Sequence, residues 1–307
     1  MTSNNKSKLI VILGRTATGK SDVGVDIALT FDGEIISADS RQVYKGLDLG
    51  TGKITRAEMK GVPHYLLDVE NPKKRFTAFE YKKLAEEKIQ QITERGHVPI
   101  LVGGTGFYID TVVSNMTFPE VAPNEALRKE LEEKSIDELY SMLIKIDPSR
   151  SQTVDIKNKR RLIRAIEIAT ELGSVPSQKK ESPYDVLLIG LRIGDDELKS
   201  KIKIRLKKRM YPPAGGGMID EARILHNPPT GGGLSWKRMD ELGLEYKYMA
   251  LYLRKKITEE EFIDQLATAI WQYARRQNTW FKRNKKIHWF NPTEIVKIEA
   301  LVKDFLK

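Results

Sequence analysis

A stretch near the start of the chain, Gly14-Arg15-Thr16-Ala17-Thr18-Gly19-Lys20-Ser21, matches the pattern G-x-x-x-x-G-K-[ST]. Such a loop is suited to holding phosphate. Its glycines let the backbone curl until successive N–H groups point inward, and a helix opening at its end adds partial positive charge. Lys20 supplies a point charge for a terminal phosphate, and the Ser21 hydroxyl is an oxygen ligand for Mg²⁺. The loop alone does not say what becomes of the phosphates.

Two further segments carry groups that could act beside it. Ile35–Ala38 runs into Asp39-Ser40-Arg41-Gln42. Asp39 is a Mg²⁺ ligand, a general base at the carboxyl edge of a sheet, or a turn cap. Val98–Val102 runs into Gly103-Gly104-Thr105-Gly106, where a phosphohydrolase would place an acid to order its metal. Here the turn offers backbone and hydroxyl donors instead. With no Asn-Lys-x-Asp signature following, a GTPase is disfavoured.

The charge points to a polyanionic partner. Lys and Arg number 52 against 42 Asp and Glu, a formal excess of +10. Residues 271–288 hold Arg275, Arg276, Lys282, Arg283, Lys285 and Lys286 without an acid, interleaved with Trp271, Tyr273, Trp280 and Phe281. Lys157, Lys159, Arg160, Arg161 and Arg164 form a second cluster, and Lys199 to Arg209 a third. One such run is as easily a solvated helix face, but three favour nucleic acid. At helical spacing the aromatics themselves read mostly as core. Three functions therefore stay open: a transferase acting on RNA, a small-molecule or nucleoside kinase in which Asp39 deprotonates a hydroxyl, and a non-catalytic RNA-binding protein whose loop regulates affinity. The kinase leaves the basic clusters idle; the binding protein leaves Thr105 unexplained.

The elements that must position these groups follow from periodicity. Lys8–Leu13 reads as a buried parallel strand, and a helix from Gly19 to about Phe31 should follow, with Val23, Ile27 and Phe31 on one face. Glu34–Ala38 and Val98–Val102 are further strands. Between them Thr77 and Glu80 form a capping box for a helix ending at Arg95-Gly96. This alternation predicts an α/β fold, a P-loop NTPase-like parallel sheet with crossover helices. From Pro123 to about Leu172 the pattern is helical and charged, and Tyr184–Leu191 returns to a strand. Residues 1–117 and 184–307 are thus read as an α/β core with C-terminal helices, and 118–183 as a helical insertion leaving through a connector, Ser174–Pro183. Lys199–Met210 alternates like a strand in part, but Leu198, Ile202 and Leu206 favour a helix. Pro212-Pro213-Ala214-Gly215-Gly216-Gly217 and Pro228-Pro229-Thr230-Gly231-Gly232-Gly233 read as turn-prone surface expansions around a short helix, Met218–His226, with glycines that offer no packing. No apolar run approaches the ~20 residues of a membrane span. The polar start, Met1 to Lys8, leads into a stretch too short for a secretory signal. With no cysteine and four histidines, neither a disulfide framework nor a structural zinc site is expected, and the chain reads as cytoplasmic.

In order along the chain stand the phosphate loop; Ile36-Ser37-Ala38-Asp39-Ser40-Arg41-Gln42-Val43-Tyr44-Lys45-Gly46 with Gly50-Thr51; Gly103-Gly104-Thr105-Gly106-Phe107-Tyr108-Ile109; Asn158-Lys159-Arg160-Arg161-Leu162-Ile163-Arg164-Ala165; and Tyr273-Ala274-Arg275-Arg276-Gln277-Asn278-Thr279-Trp280-Phe281. Together they closely resemble the tRNA dimethylallyltransferases, over about residues 8–290. The resemblance implies transfer of a dimethylallyl group from dimethylallyl diphosphate to the exocyclic amine of the adenosine 3′ to the anticodon. Gly14 to Ser21 would then bind the donor diphosphate, with Mg²⁺ on Ser21. Lys20 and Arg205 would stabilise the departing diphosphate, Thr105 would lie beside the bridging region of the donor, and Asp39 would take the amine proton. Asp39, Ser40, Arg41, Gln42 and Thr105 would contact the flipped base and its neighbours. Arg160, Arg161, Arg164, Arg275 and Arg276 would hold the tRNA anticodon arm, which suits a monomer. The chain departs from the family pattern at Arg15, where proline is common, and at Lys207, where an acid is usual. The two glycine-rich insertions put the placement of Arg205 in question. Without a C-terminal zinc-finger extension the chain looks like the compact bacterial type.

Overall fold

A computed structural model describes residues 6–176, 181–213 and 215–307. The expectations for Met1–Asn5, for Ser177–Lys180 within the connector and for Ala214 fall outside the described residues. The chain forms two compact units, one of Met1–Asn115 with Glu181–Lys307 and one of Met116–Lys180.

The larger unit is built on a parallel sheet. Its first half runs β1 (Ser7–Gly14), α1 (Lys20–Thr30), β2 (Gly33–Ala38), β3 (His64–Tyr65), α2 (Ala78–Glu94), β4 (Val98–Gly103) and α3 (Gly106–Val113). The smaller unit contributes α4 (Glu125–Glu132), α5 (Ile136–Ile146), α6 (Pro148–Ser151) and α7 (Lys159–Leu172). The chain then returns through β5 (Tyr184–Leu191), α8 (Asp195–Met210), α9 (Met218–His226), α10 (Trp236–Leu242), α11 (Leu244–Leu253), α12 (Glu259–Phe281), β6 (His288–Phe290) and α13 (Ile295–Leu306). The strands lie in the order β3-β2-β4-β1-β5-β6, every pair parallel.

The unbroken apolar run of β1 is explained by burial on both faces. Side chains alternate along a strand, so Leu9, Val11 and Leu13 enter one core and Ile10 and Ile12 the other. The first core is closed by α2, α3 and the helices from α8 to α12. The second is closed by α1 and α13 through Val23, Ile27, Ile298 and Val302. The capping box at Thr77 and Glu80 opens α2, and the alternating segment 199–210 is helix, its Leu198, Ile202 and Leu206 stripe buried.

The glycine-rich insertions are not free of packing, contrary to the reading of their composition. A Cβ on Gly217 would lie 2.0 Å from the Met210 carbonyl oxygen, and one on Gly233 would lie 1.8 Å from that of His226. The third glycine of each repeat therefore lets the chain fold tightly back over the end of the preceding helix. Between them, α9 presents Glu221, which accepts from the backbone N–H groups of Asp48, Leu49 and Gly50 and from the Tyr246 hydroxyl.

The smaller unit has its own core of Leu131, Leu139, Leu143, Leu162 and Ile166. Buried Glu167 of α7 binds Arg128, Arg164 and the Asn124 N–H. These partners hold its carboxyl below the ordinary value against the opposing effect of burial. Among the described residues no helix is long and apolar enough to cross a membrane.

Candidate active site

Parallel register brings the carboxyl ends of the central strands to one edge, where ligands bind in open α/β sheets. Leu13 of β1 and Ala38 of β2 both pair with Gly103 of β4. The phosphate loop, Asp39 and the Gly103–Gly106 turn therefore leave the sheet side by side.

The loop has the expected curl. Ala17 and Gly19 lie at φ 61 and 84°. A Cβ on Gly14 would come within 2.6 Å of the Leu191 carbonyl oxygen, so only glycine passes here. Thr18 Oγ1 and Lys20 Nζ both donate to the Arg15 carbonyl, at 2.8 and 2.7 Å. Burial pushes the Lys20 ammonium down to about 8; the positive charge of Arg205 adds to this, and Asp39 opposes it. Arg205 itself is lowered by desolvation and by Arg209. It stands beside Gly52, where an added Cβ would lie 3.2 Å from its Nη2. Lys20, Arg205 and Asp39 thus share one electrostatic environment.

Asp39 Oδ1 accepts from the N–H groups of Arg41, at 2.8 Å, and Gln42, at 3.3 Å. The carboxylate is therefore a turn cap, as one sequence reading held, and both bonds fall on one oxygen. Thr105 Oγ1 accepts from the Ser40 N–H at 3.0 Å, fixing the hydroxyl next to Asp39. The expected backbone donors of the glycine turn are partly spent. Thr105 N–H donates to the Ala38 carbonyl, the Gly104 carbonyl accepts from Gln277, and the Thr105 hydroxyl is also hydrogen-bonded to Tyr273.

Several expected roles change. Arg15, assigned to the phosphate cradle, turns its buried guanidinium away to Asp195, at 2.6 Å, and to the Ile193 carbonyl. It secures the loop to the start of α8, and its charge holds the Asp195 carboxyl below the ordinary value. Arg41 is engaged by the Leu242 and Ser40 carbonyls, and Gln42 reaches Ser37 and the Gly52 carbonyl. Both are held by these bonds in the structure without substrate. In the smaller unit Arg164 bonds Glu167 and the Val121 carbonyl, which braces the helix on which it was expected to meet RNA. Arg161 lies 3.5 Å from Asp155, and Arg160 is exposed. On α12, Arg275 and Arg276 are exposed, with Arg276 5.9 Å over the Tyr273 ring.

Two residues of α12 have roles that the sequence reading did not assign. Tyr273 lies beside Thr105 and Asp39; burial, then the Asp39 charge, pushes its hydroxyl up to about 12. Gln277 is buried and bonds both the phosphate loop and the glycine turn. A polar residue one turn after Tyr273 on the apolar face of α12 was the available signal. The clamp of Glu221 and Arg209 on the 48–50 loop had no local signature, because its partners are far apart in the chain.

A metal would find oxygen donors here. No group of three or more His, Cys, Asp or Glu side chains suited to a metal occurs among the described residues. Ser21 is exposed at the first turn of α1. A Mg²⁺ held mainly by substrate phosphates and water needs little more than this hydroxyl, so the residues present fit such an ion.

Comparison with known proteins agrees with this architecture. Residues 42–284 match the family model described as IPP transferase. The chain is 41% identical over 287 residues to tRNA dimethylallyltransferase 2 of Shewanella sediminis, covering 92% of each. It is 37% identical to the tRNA dimethylallyltransferase of Anoxybacillus flavithermus, covering 97% of this chain and 95% of that protein. Among solved structures, the tRNA isopentenylpyrophosphate transferase of Bacillus halodurans superposes with a TM-score of 0.72 at 36% identity, over 98% of this chain and 97% of the other. A eukaryotic dimethylallyltransferase acting on tRNA shares the fold, with a TM-score of 0.78 at 24% identity over 93% of this chain and 74% of that one. With the phosphate loop, Asp39 and the Thr105 turn meeting at one sheet edge, and with matches that span nearly its whole length, the chain belongs to the IPP transferase family.

Proposed function

We propose that this chain transfers a dimethylallyl group from dimethylallyl diphosphate to the exocyclic amine of the adenosine 3′ to the anticodon in tRNA. The observation that carries the reading is the convergence of Lys20, Arg205, Asp39 and Thr105 at the carboxyl edge of the sheet, where β4 ends in glycine rather than an acid. A site that transfers a phosphoryl group needs its charges around the terminal phosphorus. This one pairs a phosphate cradle with a carboxylate and a hydroxyl beside it.

In the reaction the allylic C–O bond of the donor breaks, and its electron pair leaves with the diphosphate. A C–N bond forms to the adenosine amine, which loses one proton. The loop N–H groups, Lys20 and Arg205 stabilise the charge that grows on the diphosphate. Lys20, held near 8, regains full charge when an anion replaces the Arg15 carbonyl as its partner. The free oxygen of Asp39 accepts the amine proton, while Oδ1 stays on the turn. Thr105, fixed by Ser40, donates toward the bridging oxygen. Ser21 would hold a Mg²⁺ shared with the diphosphate, neutralising part of its charge. Reaching the amine requires unstacking the base, at a cost of a few kcal/mol, which contacts of exposed Arg160, Arg275 and Arg276 with the RNA backbone would offset. We read the protein as acting as a monomer.

The test is incorporation of label from dimethylallyl diphosphate into unmodified tRNA in the presence of Mg²⁺, with ATP and small hydroxyl acceptors in parallel. Label in RNA supports the proposal. ATP consumption that depends on a small acceptor, with no label in RNA, replaces it with the kinase reading.

A further inference from the structure

Gln277 is a buried polar side chain, 6% exposed, on the face of α12 turned to the sheet edge. Its Oε1 accepts from the Thr16 N–H at 2.8 Å, and its Nε2 donates to the Gly104 carbonyl at 2.9 Å. A backbone N–H can only donate and a carbonyl can only accept, so these partners fix the orientation of the amide uniquely. The contact is tight on the second side, where a Cβ on Gly104 would lie 2.4 Å from Nε2. The same helix meets the site on either side of Gln277. Tyr273 lies one turn earlier, beside Thr105 and Asp39. Trp280 lies a turn later, its Nε1 donating to Asp110 at 2.9 Å and its ring closing on Gly106.

The two loops joined by this amide serve different substrates. Thr16 belongs to the phosphate cradle, and Gly104 precedes Thr105, whose hydroxyl stands next to Asp39. Register sets where β1 and β4 end, with Leu13 beside Gly103, but Thr16 lies two residues beyond β1 in irregular chain, and Gln277 ties its N–H to the Gly104 carbonyl. We infer that Gln277 is a positioning residue that sets the distance between the donor cradle and the Thr105–Asp39 pair. By tying one cradle N–H and one turn carbonyl to a single planar group on a rigid helix, it holds the leaving diphosphate and the proton acceptor in register. A misplacement of about 1 Å between reacting groups costs on the order of a hundredfold in rate, so the expected defect lies in kcat more than in KM. This rests on the prenyl-transfer reading of the same site.

The test uses Gln277→Glu and Gln277→Leu in the whole protein. A protonated glutamic acid reproduces the acceptor and the donor of the amide, whereas a glutamate has no donor for the Gly104 carbonyl and adds negative charge beside the cradle. The ratio of Gln277→Glu to wild-type kcat should therefore rise as pH falls through the titration of the introduced carboxyl, followed from pH 9 to 5. The affinity of the variant for inorganic pyrophosphate with Mg²⁺, measured by calorimetry, should recover over the same range. Arg15 and Lys20 on the loop, Asp39 and Arg41 after β2, Asp110 on α3, Arg205 on α8 and Tyr273 on α12 face the same cradle in both proteins; Lys20, near 8, responds to the added charge, so Gln277→Leu, which adds none, is the control. Gln277→Leu should lose tenfold or more in kcat with tRNA affinity unchanged. A pH-independent ratio in both readouts, or Gln277→Leu with wild-type kcat per folded molecule, overturns the inference. Pyrophosphate binding needs no transfer, and wild-type incorporation is scored separately, so failure of the function reading is distinguishable from failure here.

Discussion

Lys20 offers a prediction whose size follows from its surroundings. Its ammonium is held near 8 rather than the usual 10.5, chiefly by burial and next by Arg205. An anion binding to the charged form must first protonate those molecules that have lost the proton. At pH 7 about nine in ten free molecules carry the charge, and at pH 9 about one in ten, so pyrophosphate affinity should fall about tenfold across that interval. A lysine with its ordinary value would lose almost nothing. Pyrophosphate itself titrates, so the reference is Lys20→Arg, whose charge is permanent. The wild-type to Lys20→Arg ratio of dissociation constants, from calorimetry at a series of pH values, should rise about tenfold from pH 7 to 9. Arg205→Gln should move the midpoint upward. The sign for stability runs the other way. The folded protein holds this proton less tightly than the unfolded chain, so stability rises with pH between about 8 and 10.5. At about 1.4 kcal/mol for each tenfold, Lys20→Met should stabilise the unliganded protein at pH 7 by at most about 3 kcal/mol, seen as a higher melting temperature, while abolishing pyrophosphate binding. A flat ratio of dissociation constants, or a Lys20→Met protein no more stable than wild type at pH 7, refutes the reasoning.

Asp39→Asn keeps the oxygen that caps Arg41 and Gln42 but cannot take a proton. Transfer should fall about 10²- to 10⁴-fold, with tRNA affinity in filter binding within a few-fold of wild type. Arg160→Ala and Arg275→Ala, both at exposed positions, should each weaken tRNA binding and lower the slope of log K against log salt by roughly one, with melting temperature unchanged. Glu167→Ala leaves Arg128, Arg164 and the Asn124 N–H without their shared buried partner. It should cost about 3–5 kcal/mol, read as an earlier unfolding transition of the smaller unit in denaturant.

The phosphate loop, Asp39 and Thr105 were legible because each is announced locally: by a glycine spacing, by a strand running into an acid, and by a glycine turn. The sheet was legible because a strand buried on both faces must be apolar throughout, as β1 is. What escaped was set by contacts that spacing does not announce, some from distant residues and some from near neighbours whose burial only the fold decides. Arg15 reads as one more cation of a phosphate loop until Asp195 and Ile193 are seen beside it. Arg164 reads as an exposed cation until the carboxylate of Glu167, one turn on, is seen to be buried beside it. Composition made the two glycine repeats look inert, because the carbonyls they must pass, those of Met210 and His226, appear only once the helices end there. Gln277 stood within a legible motif, yet its double contact could not be read from spacing.

The central claim is tested most directly by running the reaction on an unmodified tRNA and analysing both products. The account predicts one inorganic pyrophosphate released for each dimethylallyl group gained, with the group on the exocyclic amine of the adenosine 3′ to the anticodon after nuclease digestion. Label on another nucleoside, or release of orthophosphate in place of pyrophosphate, would contradict it.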